Sequence, residues 1–147
     1  MKARRAPVLI QALCTLLALS ACAGSATSIH RNDVSALTEQ VWAFSQSHPE
    51  GFTLDIRTFT EPTSGIAVSY AATQGSHTRR QLRHVVSHAL QHDGYVGGWK
   101  GSADGRYYFD STRLFPEDSL AAALLFGKAN GQQAVYILST HSDIPIP

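Results

Sequence analysis

Cysteine is scarce in this chain: of 147 residues only Cys14 and Cys22 carry a thiol. Nothing beyond residue 22 can therefore form a disulfide, a thiolate zinc site or a cysteine nucleophile. An excess of charge of one sign is also lacking, with twelve Lys and Arg against eleven Asp and Glu. Nucleic-acid binding draws on clustered cations facing phosphates, so no nucleic-acid partner is expected. No apolar run reaches the ~20 residues of a spanning helix. The run from Val8 to Leu19 is shorter, and Pro7 and Gln11 interrupt its start. A Gly-x-Ser-x-Gly elbow, a Walker loop, a dinucleotide fingerprint, a calcium loop and a paired-carboxylate signature are all missing. No cofactor and no resident metal is expected on that basis.

What is present first is an export pattern. Lys2, Arg4 and Arg5 precede the apolar run, and Leu19-Ser20-Ala21-Cys22 closes it. A charged start, an apolar centre and small residues before a cut mark such a signal. Leu-Ser-Ala-Cys resembles the lipobox of bacterial lipoproteins, and the resemblance implies that residues 1–21 are removed and Cys22 becomes a lipid-bearing N-terminus. Cys14 is a poorer acceptor, because bulky Leu13 precedes it and a cut there divides the apolar run. Two or three acyl chains, at roughly 0.8 kcal/mol per buried methylene, hold a protein on a membrane without spanning it. Ala23, where an aspartate is absent, implies by the same resemblance an outer-membrane location with a periplasm-facing domain. Loss of Lys2, Arg4 and Arg5 leaves nine basic against eleven acidic residues, a formal balance of −2.

Residues 22–31 are small and polar and read as a tether, leaving 32–147 as one domain of ordinary size. Asn32 or Asp33 can cap a helix to about His48, in which Val34, Leu37, Val41 and Phe44 recur at helical spacing. Alternation in Phe52, Leu54, Ile56 and in Ile66, Val68, Tyr70, around Glu61-Pro62-Thr63-Ser64-Gly65, reads as a hairpin of two strands. Thr78-Arg79-Arg80-Gln81 has the form of a capping box, opening a helix with the stripe Leu82, Val85, Val86, Ala89, Leu90 and a stop at Gly94. Tyr95–Trp99 and Arg106–Asp110 read as strands joined by a Gly-rich turn. Pro116-Glu117-Asp118 opens a third helix ending near Asn130-Gly131, and Ala134 to Leu138 is a last strand before a Pro-rich tail. The expected fold is a single small α+β domain, with about three helices on a mainly antiparallel sheet in the order α-β-β-α-β-β-α-β.

Two constellations bear on chemistry. His84, His88 and His92, four residues apart, fall on one helix flank, directed largely away from the apolar stripe. Histidines at i and i+4 share a metal in some metalloprotease helices, but His84-Val85-Val86-Ser87-His88 lacks the intervening Glu. An exposed polar face accounts for them as well. With His77 and the cations Arg79, Arg80 and Arg83 at the helix start, His77, Arg80, His84 and His88 form an alternative acid-base or anion site. The second constellation is the aromatic hairpin. Strand alternation sets Tyr107 and Phe109 on one face and Arg106, Tyr108 and Asp110 on the other, so Tyr95, Trp99, Lys100, Arg106, Tyr108 and Asp110 form the candidate binding platform. Aromatic cross-strand packing is the competing explanation.

Across the domain, Gly51-Phe52-Thr53-Leu54-Asp55, Ser64 to Tyr70, Val96-Gly97-Gly98-Trp99, Tyr107 to Ser111 and Gln132-Gln133-Ala134-Val135 are similar to small uncharacterised modules of bacterial mobile-element and polyvalent proteins. That resemblance brings no activity with it. Two functions fit the sequence: an envelope binding module with a protein or other envelope ligand, and a small hydrolase or nuclease-like enzyme using histidine acid-base chemistry. Binding is the preferred expectation.

Overall fold

The computed structural model describes residues 31–147, with side chains from residue 33 onward. Cys22 and most of the 22–31 tether lie outside the described residues. Helix α1 (Arg31–Gln46) brings Val34, Leu37, Val41 and Phe44 to one side, as their spacing dictates. Its two buried hydroxyls are satisfied within the helix: Thr38 donates to the Val34 carbonyl at 2.6 Å and Ser45 to that of Trp42 at 2.7 Å. Helix α2 (Arg79–Gln91) opens on the capping box read from the sequence. Gln81 N–H donates to Thr78 Oγ1 at 3.2 Å, and Thr78 N–H donates to Gln81 Oε1 at 3.1 Å. It stops at Gly94, whose φ of +86° suits glycine and whose missing Cβ leaves room for the Arg57 guanidinium.

The remaining elements are β1 (Phe52–Asp55), β2 (Ile66–Ser69), β3 (Tyr95–Lys100), β4 (Tyr107–Phe115), α3 (Leu120–Ala129), β5 (Ala134–Ile137) and β6 (Ser142–Pro145). The strands form one sheet in the order β1-β3-β4-β2-β5-β6, with every neighbouring pair antiparallel. This is the α+β arrangement expected from the sequence, with three differences. First, β1 and β2 are not a hairpin; β1 pairs with β3, and β2 with β4 and β5. The chain after β1 closes on itself through the Asp55–Thr60 bridge, and residues 61–65 then carry it past β3 and β4 to β2. Second, the Pro-rich tail contains β6, where Ile144 reaches the core and Pro145 and Pro147 flank the free edge. Third, β4 runs on to Phe115, because Thr112 to Phe115 pair with β2. In addition, Glu117–Ser119 form a 3-10 turn and α3 begins at Leu120.

Helices α1, α2 and α3 cover the same face. Phe109, Ser111 and Arg113 alternate onto that face of β4; Trp42 of α1 packs on Phe109 at 5.8 Å, and Arg113 lies over Phe126 of α3. Two apolar clusters result. Val41, Leu54, Leu82, Val85, Val86, Val96 and Phe109 pack beneath α1 and α2, whereas Ile66, Val68, Ala123 and Val135 pack beneath α3. Each of the larger side chains contributes about 1.5–3 kcal/mol on burial.

Gly98 on this face has no room for a side chain. A Cβ there meets Phe52 Cε1 and Cζ at 2.5 Å and Phe109 Cδ1 at 3.2 Å, and Phe44 holds the Phe52 ring edge-on at 5.2 Å. Gly98→Ala is expected to destabilise the domain by ~1–3 kcal/mol. Urea unfolding checks this: the midpoint falls with little change in slope, and an unmoved midpoint contradicts the packing described.

Candidate functional site

The face of the sheet opposite the helices is concave and carries small side chains. Thr53 of β1, Gly97 of β3, Thr112 of β4, Ala67 and Ser69 of β2, and Ala134 of β5 form the floor of a cavity of about 960 Å³. That size falls within the roughly 300–1,000 Å³ usual for small-ligand sites. Small residues lie here because register sets them side by side: Thr53 pairs with Gly97, Ser69 with Thr112, and Ala67 with Tyr136. Trp99 stands at one rim, 43% exposed, and Tyr136, His141 and Asp143 stand on the β5–β6 side. Glu61, Pro62 and Thr63 line the same space as they pass from the β1 edge toward β2. That strap is tied at both ends. His48 Nε2 lies 3.8 Å from Glu61 Oε2, and Gly65 N–H donates to Glu117 Oε1 at 3.3 Å.

Of the six residues expected to form the platform, the structure brings together three near one end of this face. Trp99 stacks on Tyr108 with centroids 5.6 Å apart, while Tyr108 OH donates to Asp104 Oδ2 at 2.7 Å. Arg106 Nε lies 3.8 Å from the same carboxylate. Hydrogen bonding from Tyr108 and the Arg106 backbone holds the Asp104 carboxyl below its ordinary pKa. Tyr95 is at the opposite end of β3, paired with Asp55 and Thr112. Lys100 follows Trp99 onto the helix side, with Nζ 5.6 Å from the Tyr107 ring centre.

Asp110 differs most from the expectation of an exposed platform residue. It alternates with Tyr108 and Thr112 onto the open face, yet it is only 4% exposed. The Ser69 hydroxyl serves its carboxylate, and Oδ1 is buried without a partner in the structure. Burial raises its pKa to about 6, and the Ser69 hydrogen bond offsets part of the rise.

His84, His88 and His92 of α2 lie across the sheet from this cavity. His84 and His92 are exposed, but His88 does not face away from the core: its Nδ1 is 2.9 Å from the hydroxyl of fully buried Ser111. A residue displaced about 120° from the apolar stripe still meets the sheet when a strand lies beside the helix. His88 stacks on His92 at 3.9 Å, and its pKa is lowered by burial first and by His92 and His84 second. Tyr70 packs against both rings at 5.0 Å, and its hydroxyl donates to Asp93 Oδ2. Burial and that hydrogen bond push the Tyr70 pKa up to about 12. His77 is separate: its Nδ1 lies 2.9 Å from the Gly75 carbonyl and its ring 6.0 Å from that of Tyr108. Arg80 is exposed on the first turn of α2. His77, Arg80, His84 and His88 thus do not converge on one point. Among the described residues, no group of three or more His, Cys, Asp or Glu is placed to hold a metal ion.

Sequence reasoning missed the Tyr136, His141 and Asp143 rim and the Glu61–Thr63 strap. The alternation of Tyr136 with Val135 and Ile137 was legible, but the pairing of β5 with β2 was not. Comparison with protein-family models, with curated proteins and with solved structures found no match.

The orphaned carboxylate sets a pH dependence. Its folded pKa lies above the ordinary carboxylate value, so the folded state binds the extra proton and stability falls as pH rises through about 6. Above that point the buried charge costs up to roughly 3 kcal/mol. Asp110→Asn is therefore expected to be more stable than the native chain at pH 7.5, with the gap closing by pH 4. Thermal unfolding at the two pH values checks this, and a variant less stable at pH 7.5 contradicts it.

Proposed function

We propose that this protein is a lipid-anchored module of a bacterial cell envelope, held on the outer membrane through Cys22, which binds its ligand on the open face of the sheet. The observation that carries the binding half is the concavity itself: three helices cover one face, and the other presents a ligand-sized hollow between Trp99 and Tyr136. Small-ligand sites are concave hollows lined by apolar and aromatic side chains with a few placed polar groups, and this hollow has that make-up. The anchoring half rests on Leu19-Ser20-Ala21-Cys22 and the charged, apolar stretch before it.

The enzymatic reading retains one favourable contact, the 2.9 Å approach of His88 Nδ1 to Ser111 Oγ. A Ser nucleophile needs a base in hydrogen-bond reach and also an approach for substrate. Ser111 has no exposed surface, so its hydroxyl is better read as a partner that satisfies His88 beneath the helix.

Fractionation of cells that make the full-length protein, followed by capture with the detergent-solubilised protein, tests both halves. Cys22→Ala is expected to shift the protein from the membrane fraction to the soluble fraction. Trp99→Ala with Tyr136→Ala is expected to abolish capture of an envelope ligand, whereas His84→Ala with His92→Ala leaves capture intact. Loss of capture in the histidine variant alone sinks the open-face assignment.

A further inference from the structure

The cavity is chemically one-sided. Its lining includes the carboxylates of Glu50, Glu61 and Asp143 and not one lysine or arginine among the described residues. Asp110 shares the parity of Thr112 on β4 and pairs with Gly97, so it adjoins this lining without belonging to it; Ser69 serves its carboxylate, Oδ1 is buried without a partner among the described residues, and only 4% of the residue is exposed. An unpaired buried carboxylate is expensive unless a cation or donor answers it.

The chain's own cations near this part of the fold are engaged elsewhere. Lys100 points to the helix side over Tyr107, and Arg106 lies against Asp104. Arg57 donates to the His92 and Asp93 carbonyls at 2.9 Å, and Arg113 lies over Phe115 and Phe126 under α3. The two imidazoles on the rim also have partners: His48 approaches Glu61 at 3.8 Å, and His141 Nδ1 lies 3.2 Å from Tyr136 OH. What remains is a hollow with three carboxylates and no lysine or arginine on its walls, a buried carboxylate beside its floor and two aromatic rings, Trp99 and Tyr136, at its rim. Aromatic faces attract cations through the ring quadrupole, and a carboxylate buried beside the cavity acts at greater range than one in water.

We infer that the cavity takes a small organic cation, an ammonium group carried on an apolar body, with the rim carboxylates and Asp110 answering its charge and Trp99 and Tyr136 packing on its body. The inference rests on the open face being the binding face. It adds that charge, and not shape alone, selects the ligand.

Isothermal titration calorimetry on the full chain in uncharged detergent at pH 8 tests it with three six-carbon probes: hexamethylenediamine, the corresponding diol, and adipate. The diamine is expected to bind at least about tenfold more tightly than the diol, with no binding of adipate. Asp110→Asn and Glu61→Gln are each expected to weaken the diamine about threefold to tenfold; Glu61 is exposed on the strap, so its variant carries no folding risk of note. Equal binding of diol and diamine, preference for adipate, or a diamine affinity unmoved in both variants overturns the inference. Diol binding that Trp99→Ala abolishes leaves the open face as the binding face and removes only the role of charge. Absence of heat with all three probes overturns the cation, and the envelope-capture experiment then judges the face by itself.

Discussion

The placement of α1, α2 and α3 on a single face of the six-stranded sheet governs everything else in the molecule. Each strand must bury one row of side chains, and the helices supply that cover for Leu54, Val96, Phe109, Val68 and Val135. Among the described residues, no helix covers the opposite row. A solvated sheet face normally carries long polar side chains, but register here lines up Thr53, Gly97, Thr112, Ser69 and Ala67, which are too short to fill the space above them. The hollow is thus a consequence of which residues fall on the uncovered parity of five strands.

The covered face is itself divided. The α1–α2 cluster and the α3 cluster are separated by a seam of Tyr70, His88, His92, Asp93, Ser111 and Arg113, in which polar groups answer one another. That seam explains the histidine row without chemistry: His88 reaches a buried hydroxyl, His92 stacks on it, and Tyr70 bridges from the histidines to Phe126 of α3. On the other side of the sheet, Asp110 is served by Ser69 on one oxygen, while its buried Oδ1 has no partner among the described residues. The contrast between a satisfied polar seam under the helices and one orphaned oxygen on the open side is what directs attention to the latter.

Local signals were legible in the sequence and long-range ones were not. The capping box at Thr78, the stop at Gly94, the β3–β4 hairpin and the apolar stripe of α2 depend on residues within a few positions of one another, and all appear as read. The β1–β2 pairing was misread because Glu61-Pro62-Thr63-Ser64-Gly65 carries turn residues whether the chain reverses or crosses the sheet. Half of the candidate site followed from the aromatic hairpin, since Trp99 and Tyr108 do stand together. The other half comes from β5, β6 and the strap, which only the strand order brings opposite Trp99. Alternation gives Asp110 the parity of Thr112, but its burial depends on its surroundings and has no signature in the strand pattern.

Site-specific photo-crosslinking on native membranes tests the central claim most directly, with benzoylphenylalanine replacing Tyr136 on the open face or His92 on the helix side of the full-length protein. A discrete adduct formed from position 136 and none from position 92 is the predicted result. An adduct from position 92 with none from position 136 contradicts the account and moves the functional surface to the histidine seam.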